Sequence, residues 1–287
     1  MAKKTTIPEV APELQIANDG LPSAPTKQTV NPLQMRKLLI APPGWGKTTY
    51  FMNYPDALLL AFEEGHMFVE GYKIIIDRWM GKDEGVDEAG NMHMSAELAL
   101  ERILASDRFP FIIMDTVDAA SKMCADHFIE REKAEHISEL GDYGKGYELA
   151  QNTPMRKFCN AILKSGRGIG YITHQKIVEA KNKKGEIVSV KKASSMPEGI
   201  LKNLYPQVDV ILHGEFGGTP EGSMHRQRII RTEGSEELLA KNRGGKFPPA
   251  FIVPEDGQAS WDQLAGFFTT PETVNTAYAE YKALYEE

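Results

Sequence analysis

One short stretch near residue 40 limits the folds open to this chain more than any other. Leu38, Leu39 and Ile40 form an apolar run typical of a strand, and the loop Gly44-Trp45-Gly46-Lys47-Thr48 follows it. The next residues, 49–52, can open a helix. A strand, a glycine loop and a helix in this order are typical of α/β folds, in which functional loops lie at the carboxyl ends of parallel strands. The stretch therefore predicts a parallel sheet with this loop at its carboxyl edge.

The loop matches the phosphate-binding pattern G-x-x-x-x-G-K-[ST] except at its first position, where Ala41 replaces glycine. In such loops backbone N–H groups surround phosphates, the lysine binds the same oxygens, and the hydroxyl holds Mg²⁺. The alanine costs about 1 kcal/mol if that position needs a positive φ, and nothing otherwise. A chance run of glycine and lysine is the alternative. The predicted nucleotide-binding residues are Pro43, Gly44, Trp45, Gly46, Lys47, Thr48 and Thr49.

The rest of the chain alternates short apolar runs with amphipathic segments, as expected for a mainly parallel sheet with helices on both faces. Residues 1–33 are rich in proline and predict an extended or disordered tail. We place the α/β core at 34–255 and a C-terminal helical extension at 256–287. The predicted strands are 37–41, 57–62, 110–115, 168–173, 207–213 and 224–231, with a helix at 150–165 and a basic hairpin at 176–192.

Polar residues at the ends of other predicted strands supply the rest of a site. Asp115 ends the run FPFIIMD and is the candidate second ligand for magnesium, although an aspartate after an apolar run can be only a strand end. Glu63 and Glu64 end another strand, and one of them, preferably Glu63, is the candidate base that activates water. His174 ends a third strand, where it either senses phosphate or serves as a structural histidine.

Composition and charge exclude several other classes of protein. The formal net charge is −7, which argues against indiscriminate coating of nucleic acid but leaves room for a local basic patch. Cys124 and Cys159 lie outside any C-x-x-C or Cys/His cluster, so neither a zinc site nor a disulfide framework is indicated. No apolar run suggests a signal peptide or a membrane span. A reducing cytoplasm is the expected compartment.

The chain resembles the RecA-like core ATPases, and most closely their small phage-encoded branch of AAA-type ATP-binding proteins, some of which act in single-strand annealing and recombination. The resemblance spans about residues 38–248. The matching stretches are APPGWGKTT, LLLAFEEG, FIIMDTVDAA, GDYGKGYELAQ, GIGYITHQK and AKNRGGKFP. The chain departs from the family at Ala41, in lacking an obvious N-terminal helical domain, and in lacking a recognisable polymerisation motif.

The resemblance implies further roles. Glu63 would be the catalytic glutamate, since RecA-like proteins carry it at the end of the strand after the loop helix. Gln175 would sense the γ-phosphate, and His174 beside it belongs to the same edge. Lys241 and Arg243 would reach the phosphates of a neighbouring subunit in an oligomer or filament, although charged glycine loops are often merely solvated. ATP and Mg²⁺ are the implied ligands.

The predicted hairpin corresponds to a region that binds single-stranded DNA in RecA-like proteins. Its lysines would neutralise phosphates and release counterions, but no aromatic side chain lies between residues 176 and 200 to stack on bases. A solvated, lysine-rich hairpin is the alternative. The candidate DNA-binding residues are Lys176, Lys181, Lys183, Lys184, Lys191 and Lys192.

Two functions follow from these features. In the first, an ATPase assembles on single-stranded DNA during phage recombination or replication, in a host cytoplasm and with possible single-strand-binding or replication partners. In the second, a nucleotide-dependent switch or scaffold binds a protein partner through its proline-rich tail or terminal helices and hydrolyses little. A nucleotide kinase fits less well, because no arginine-rich lid is evident.

Overall fold

The structure is a computed structural model that describes residues 30–182, 184 and 186–286. Residues 1–29 of the predicted tail and the candidate Lys183 lie outside the described residues. Contacts between residues separate 1–31 from Pro32–Glu287, and the elements below belong to the second unit. The boundaries that we predict at 34 and 256 stay predictions.

Twelve strands of the described residues form one sheet in the order β12-β10-β9-β1-β7-β6-β2-β3-β5-β4, with β11 beside β9 and β8 beside β7. The strands are β1 (Arg36–Ala41), β2 (Ala57–Ala61), β3 (Tyr72–Arg78), β4 (Glu84–Val86), β5 (Met92–Ser95), β6 (Phe111–Asp115), β7 (Gly168–Lys181), β8 (Ile187–Ser194), β9 (Val210–Phe216), β10 (Arg228–Arg231), β11 (Lys241–Asn242) and β12 (Ala250–Val253).

Helices connect these strands. They are α1 (Lys47–Met52), α2 (Ala96–Leu104), α3 (Val117–Arg131), α4 (Lys145–Tyr147), α5 (Thr153–Lys164), α6 (Glu198–Leu204), α7 (Gly257–Thr269) and α8 (Pro271–Tyr285), and α4 continues through a π-helical turn, Glu148–Asn152, into α5. No helix among the described residues is long and apolar enough to span a bilayer.

The seven strands β9, β1, β7, β6, β2, β3 and β5 are parallel neighbours. Strand β7 therefore separates β1 from β6, and their carboxyl ends share one edge of the sheet about 10 Å apart, twice the spacing of adjacent strands. This arrangement brings the loop that follows β1 and the aspartate that ends β6 to the same edge.

Alternating side chains of β1 build two cores. Leu38 and Ile40 join a cluster with α2, α3, α5 and α6, whereas Leu39 and Ala41 join a second cluster with α1, α7 and α8. Successive residues of a strand point to opposite faces, so helices cover both sides. The predicted mainly parallel α/β fold with a hairpin and C-terminal helices is confirmed.

Some elements differ from the prediction. The strand predicted at 168–173 continues to Lys181 because its second half pairs antiparallel with β8 to form the hairpin. Strands β3, β4, β5, β11 and β12 are absent from the sequence-based assignment. Several of them are two to four residues long, and strands this short depend on hydrogen bonds to their neighbours more than on a pattern of their own.

The start of β7 has no room for a side chain. A Cβ on Gly168 would lie 2.1 Å from the carbonyl oxygen of Leu33 and 2.9 Å from that of Met35. Both are backbone atoms, so Gly168→Ala should lower the free energy of unfolding by about 1–3 kcal/mol, the usual cost of overpacking. Chemical denaturation measures this loss.

Gly218→Ala is the matched control, because a Cβ on Gly218 would have no atom within 4 Å and the φ of this residue is not positive. Equal stability of the two variants would contradict the close approach at Gly168.

Candidate functional site

The loop after β1 has the backbone of a phosphate cradle. Gly44 and Gly46 adopt φ values of 74° and 89°, which glycine reaches without strain. Ala41 is the last residue of β1 and is not among the described non-glycine residues with positive φ. Alanine therefore carries no backbone cost at the position where the common pattern has glycine.

Trp45 fastens the loop to β9. Its side chain is buried, and its indole Nε1 donates to the carbonyl oxygen of Glu215 at 2.9 Å. A Cβ on Gly214 would lie 2.7 Å from the indole ring, so this glycine makes room for it. The ring also contacts Tyr50 edge-on at 5.9 Å between centroids. Trp45 thus packs between the loop and β9 and holds the loop against the sheet.

Lys47 carries an amino group that is buried at the carboxyl edge. Its Nζ donates to the carbonyl oxygens of Ala41 and Pro42, both at 3.2 Å, and lies 3.4 Å from Nδ1 of His174. Burial lowers its pKa, while the carboxylate of Asp115 acts in the opposite direction. Within the described part of the chain it has no carboxylate within ion-pair distance. An ammonium group held in this way suits a phosphate oxygen.

Thr48 and Asp115 form the candidate magnesium site. The hydroxyl of Thr48 donates to Oδ2 of Asp115 at 2.5 Å, across the strand between them. Burial raises the pKa of Asp115, and the Thr48 hydrogen bond partly offsets this. A hydroxyl and one carboxylate are the oxygen ligands that Mg²⁺ takes from a protein when phosphates and water complete its shell. The residues present therefore fit Mg²⁺, and no larger cluster of metal ligands occurs among the described residues.

Glu63 lies beside this pair, two residues after the end of β2. Its Oε2 accepts from the hydroxyl of Thr116 at 3.0 Å, and its Oε1 lies 3.5 Å from Nε2 of His174. The His174 contact lowers the pKa of Glu63, and the same contact raises the pKa of His174. Glu63 is thus an ionised carboxylate held in place from two sides. Its role as base stays a prediction, as does that of the exposed Glu64.

Gln175 is turned away from the loop. Its Oε1 accepts from Nε2 of His213 at 2.9 Å. Burial lowers the pKa of His213 to about 4, so this imidazole is neutral and its Nε2–H can serve as the donor. His174, one residue earlier, faces the site instead. Phosphate sensing by Gln175 stays a prediction, and His213 was missed because an isolated histidine within a buried strand has no recognisable pattern.

Asp118 is a second residue that the sequence did not identify, and it holds β7 in place near the site. Asp118, in the first turn of α3, accepts from the hydroxyls of Thr173 and Ser195, both at 2.8 Å. In the sequence, only its position three residues after Asp115 could have pointed to a role in the site. The carboxylate joins α3 to β7 and to the segment after β8, and so fixes the base of the hairpin relative to Asp115.

Lys241 and Arg243 lie at the opposite edge of the sheet. Lys241 pairs with Ile211 near the start of β9 and donates to the carbonyls of Tyr205 and Val208, both at 2.8 Å. Arg243 donates to a carbonyl of the same loop and lies 3.6 Å from Asp209. The structure therefore does not bring this pair to the loop of its own chain. A role toward a neighbouring subunit stays a prediction.

The hairpin lysines divide into two kinds. Lys192 is partly buried and forms an ion pair with Glu215 at 2.5 Å, so its charge is already matched. Four lysines are exposed: Lys176, Lys181, Lys184 and Lys191. Of these, Lys181 lies 3.5 Å from Glu179. These four exposed lysines are the ones that an external anion can reach.

Comparison with known proteins identifies the family. A family model described as an AAA domain matches residues 33–244. The chain belongs to the AAA domain family. Membership of this family, together with the loop and Asp115, identifies the protein as a P-loop ATPase that binds nucleotide. No curated protein matches the sequence.

Among solved structures, the flagellar accessory protein FlaH from Methanocaldococcus jannaschii is similar to this AAA domain protein at a TM-score of 0.37 and 9% identity. The match covers 78% of this chain and 87% of that one. This likeness is too low to support any statement about function.

The ion pair between Glu63 and His174 should be visible in titration. Glu63→Gln removes the charge, so the pKa of His174 should fall toward its ordinary value of 6.5. NMR titration of the imidazole measures this. Glu64→Gln is the control and should leave the pKa of His174 where it is. An unchanged value in Glu63→Gln would mean that another group raises it.

The pKa shifts of Glu63 and His174 also determine how the stability of the fold depends on pH. The pKa of Glu63 is lowered and that of His174 is raised, so the pair stabilises the fold between these two folded-state values. The contribution is lost on acidification as Glu63 is protonated, and lost on alkalinisation as His174 is deprotonated. Both side chains are 37% exposed, so the contribution is small.

Proposed function

We propose that this protein binds and hydrolyses Mg-ATP and acts on single-stranded DNA in recombination or replication, in the manner of the phage-encoded RecA-like branch. The observation that carries the hydrolytic part is the convergence of Lys47, Thr48, Asp115 and Glu63 at one edge of the sheet. A cation, a metal-binding pair and an ionised carboxylate are the groups that phosphoryl transfer to water requires.

Each side chain then has a defined task. Lys47 binds the β- and γ-phosphate oxygens in place of its carbonyl partners. Thr48 and Asp115 would hold Mg²⁺, which neutralises charge on the phosphates when bound. Glu63 accepts a proton from the attacking water. His174 lies between Lys47 and Glu63, at 3.4 Å and 3.5 Å, and so orients the carboxylate and balances its charge.

The hairpin supports a role on DNA. Strand β7 runs without a break from Gly168 in the core to Lys181 beyond the sheet, and it carries His174 at the nucleotide site. One continuous strand can therefore transmit a change at the phosphates to the exposed lysines. The lysines supply electrostatic attraction to a phosphate backbone.

Aromatic side chains, which the hairpin lacks, are exposed in α4 and just before it. Tyr143 is fully exposed and Tyr147 is 45% exposed. The helix that begins at Lys145 packs against α6, which follows β8, with Gly199 against the side chain of Asn152. Stacking of bases on these tyrosines would add to the lysine contacts.

Assembly of several copies fits the placement of Lys241 and Arg243. Since they lie at the amino edge and the loop lies at the carboxyl edge, they can approach only the loop of another copy. Such a head-to-tail contact generates rings or open filaments. We propose a homo-oligomer of this kind.

A second function, a nucleotide-dependent switch that binds a protein partner, is favoured by one observation. The hairpin exposes Ile177, Ile187 and Val188, which are 64%, 52% and 62% exposed. Apolar side chains on an exposed hairpin are typical of a protein-binding surface. In that case hydrolysis would be slow and independent of DNA.

Glu63→Gln tests the hydrolytic mechanism. Nucleotide binding should stay intact, and turnover of ATP should fall about 100- to 10,000-fold, the usual contribution of a general base. Calorimetric binding and steady-state phosphate release measure the two quantities. Glu64→Gln is the matched control and should retain activity, while Lys47→Ala should abolish both binding and turnover. Unchanged turnover in Glu63→Gln would move the base elsewhere.

DNA binding is tested by removing the four exposed hairpin lysines together, as Lys176→Ala/Lys181→Ala/Lys184→Ala/Lys191→Ala. The slope of log affinity for single-stranded DNA against log salt should fall by up to about 3, since each phosphate contact contributes about 0.7. Fluorescence anisotropy at a series of salt concentrations measures it.

The control replaces with alanine four exposed lysines outside the hairpin, Lys122, Lys157, Lys202 and Lys282. This variant should keep the wild-type dependence of DNA affinity on salt. If DNA neither binds at low salt nor stimulates ATP turnover, the switch function is favoured over the DNA function.

A further inference from the structure

Arg228 lies against the phosphate loop from the side opposite to the hydrolytic groups. It begins β10, and its Nη1 lies 3.2 Å from the position that a Cβ on Gly46 would occupy. Its Nη2 donates to the carbonyl oxygen of Pro254 at 2.9 Å, and its Cζ lies 5.8 Å from the centre of the Trp45 ring. These contacts hold the guanidinium beside the loop.

The charge of Arg228 has no partner within the described residues. Every carboxylate there is more than 4 Å from its nitrogens, although Glu255 lies in the neighbourhood. The side chain is half-buried, and one hydrogen bond to a carbonyl uses only one of its five N–H donors. A half-buried, unmatched guanidinium next to a phosphate-binding loop is suited to an anion.

The order of strands indicates which part of the nucleotide Arg228 meets. Asp115 ends β6, His174 lies within β7 and Glu63 follows β2, and these three strands all lie on one side of β1. The γ-phosphate must lie on that side, within reach of these groups. Arg228 stands on β10, on the other side of β1, beyond β9. The end of the nucleotide that does not react therefore leaves the loop toward Arg228.

We propose that Arg228 binds the α-phosphate of the nucleotide and thereby sets its affinity. The inference rests on the proposed ATP binding and adds a residue that neither the loop pattern nor the family match assigns. Because ATP and ADP share the α-phosphate, Arg228 contributes equally to the binding of both. It contributes little to the chemical step, which takes place at the γ-phosphate.

Arg228→Gln is the main test variant, because it removes the charge while keeping a polar side chain at this position. The dissociation constants for ADP and for a non-hydrolysable ATP analogue should both rise about 10- to 100-fold, the range for a hydrogen bond to a charged group. Isothermal titration calorimetry measures both. In ATP turnover, KM should rise by a similar factor with kcat within about threefold of wild type.

Two further variants separate binding from structure. Arg228→Lys keeps the charge and should recover part of the affinity. Arg226→Ala is the matched control, since the guanidinium of Arg226 is on the same segment but donates to the carbonyls of Phe216 and Gly217. It should bind both nucleotides like wild type. Thermal unfolding of every variant shows whether the fold is retained.

The possible results are distinct. Wild-type affinity of Arg228→Gln for both nucleotides would overturn the assignment. A fall in kcat with unchanged ADP binding would also overturn it, because it would place Arg228 at the γ-phosphate. If the wild-type protein itself binds neither nucleotide, the proposed function fails and the role of Arg228 fails with it.

Discussion

The parallel pairing of β1 with β7, in which Ala41 lies opposite His174, is the constraint on which the site depends. It sets the buried amino group of Lys47 beside an imidazole, and the imidazole beside Glu63. Strand β6 pairs with the other side of β7, so Asp115 reaches Thr48 across one strand. A shift of β7 by one residue would turn His174 to the opposite face of the sheet, away from Lys47 and Glu63.

The site holds a cation, Lys47, and an anion, Glu63, that do not form an ion pair with each other. Lys47 contacts carbonyl oxygens and His174, while Glu63 contacts Thr116 and His174. His174 therefore stands between a cation and an anion that do not contact each other. In the proposed function this leaves the ammonium group for phosphate and the carboxylate for water. A direct ion pair between Lys47 and Glu63 would neutralise both groups and leave no cation for the substrate.

The hairpin is tied to the loop by a second set of contacts. Glu215 accepts from Trp45 through its carbonyl oxygen and from Lys192 and Arg231 through its carboxylate. Asp118 joins the base of the same hairpin to α3. The hairpin therefore has fixed partners where it leaves the sheet. The exposed lysines and apolar side chains lie beyond these supports, on the part of the hairpin that is open to a partner.

The sequence by itself determined the loop, the parallel α/β sheet and Asp115 at the end of a strand, because glycine spacing and apolar runs are local properties of a chain. The cost of Ala41 could not be read in this way, since it depends on a φ value that only the folded backbone shows. Tertiary structure also decided that Gln175 faces His213, that Lys241 and Arg243 lie at the far edge, and that Arg228 lies against Gly46. These are contacts between residues distant in sequence, and no local pattern records which strands become neighbours.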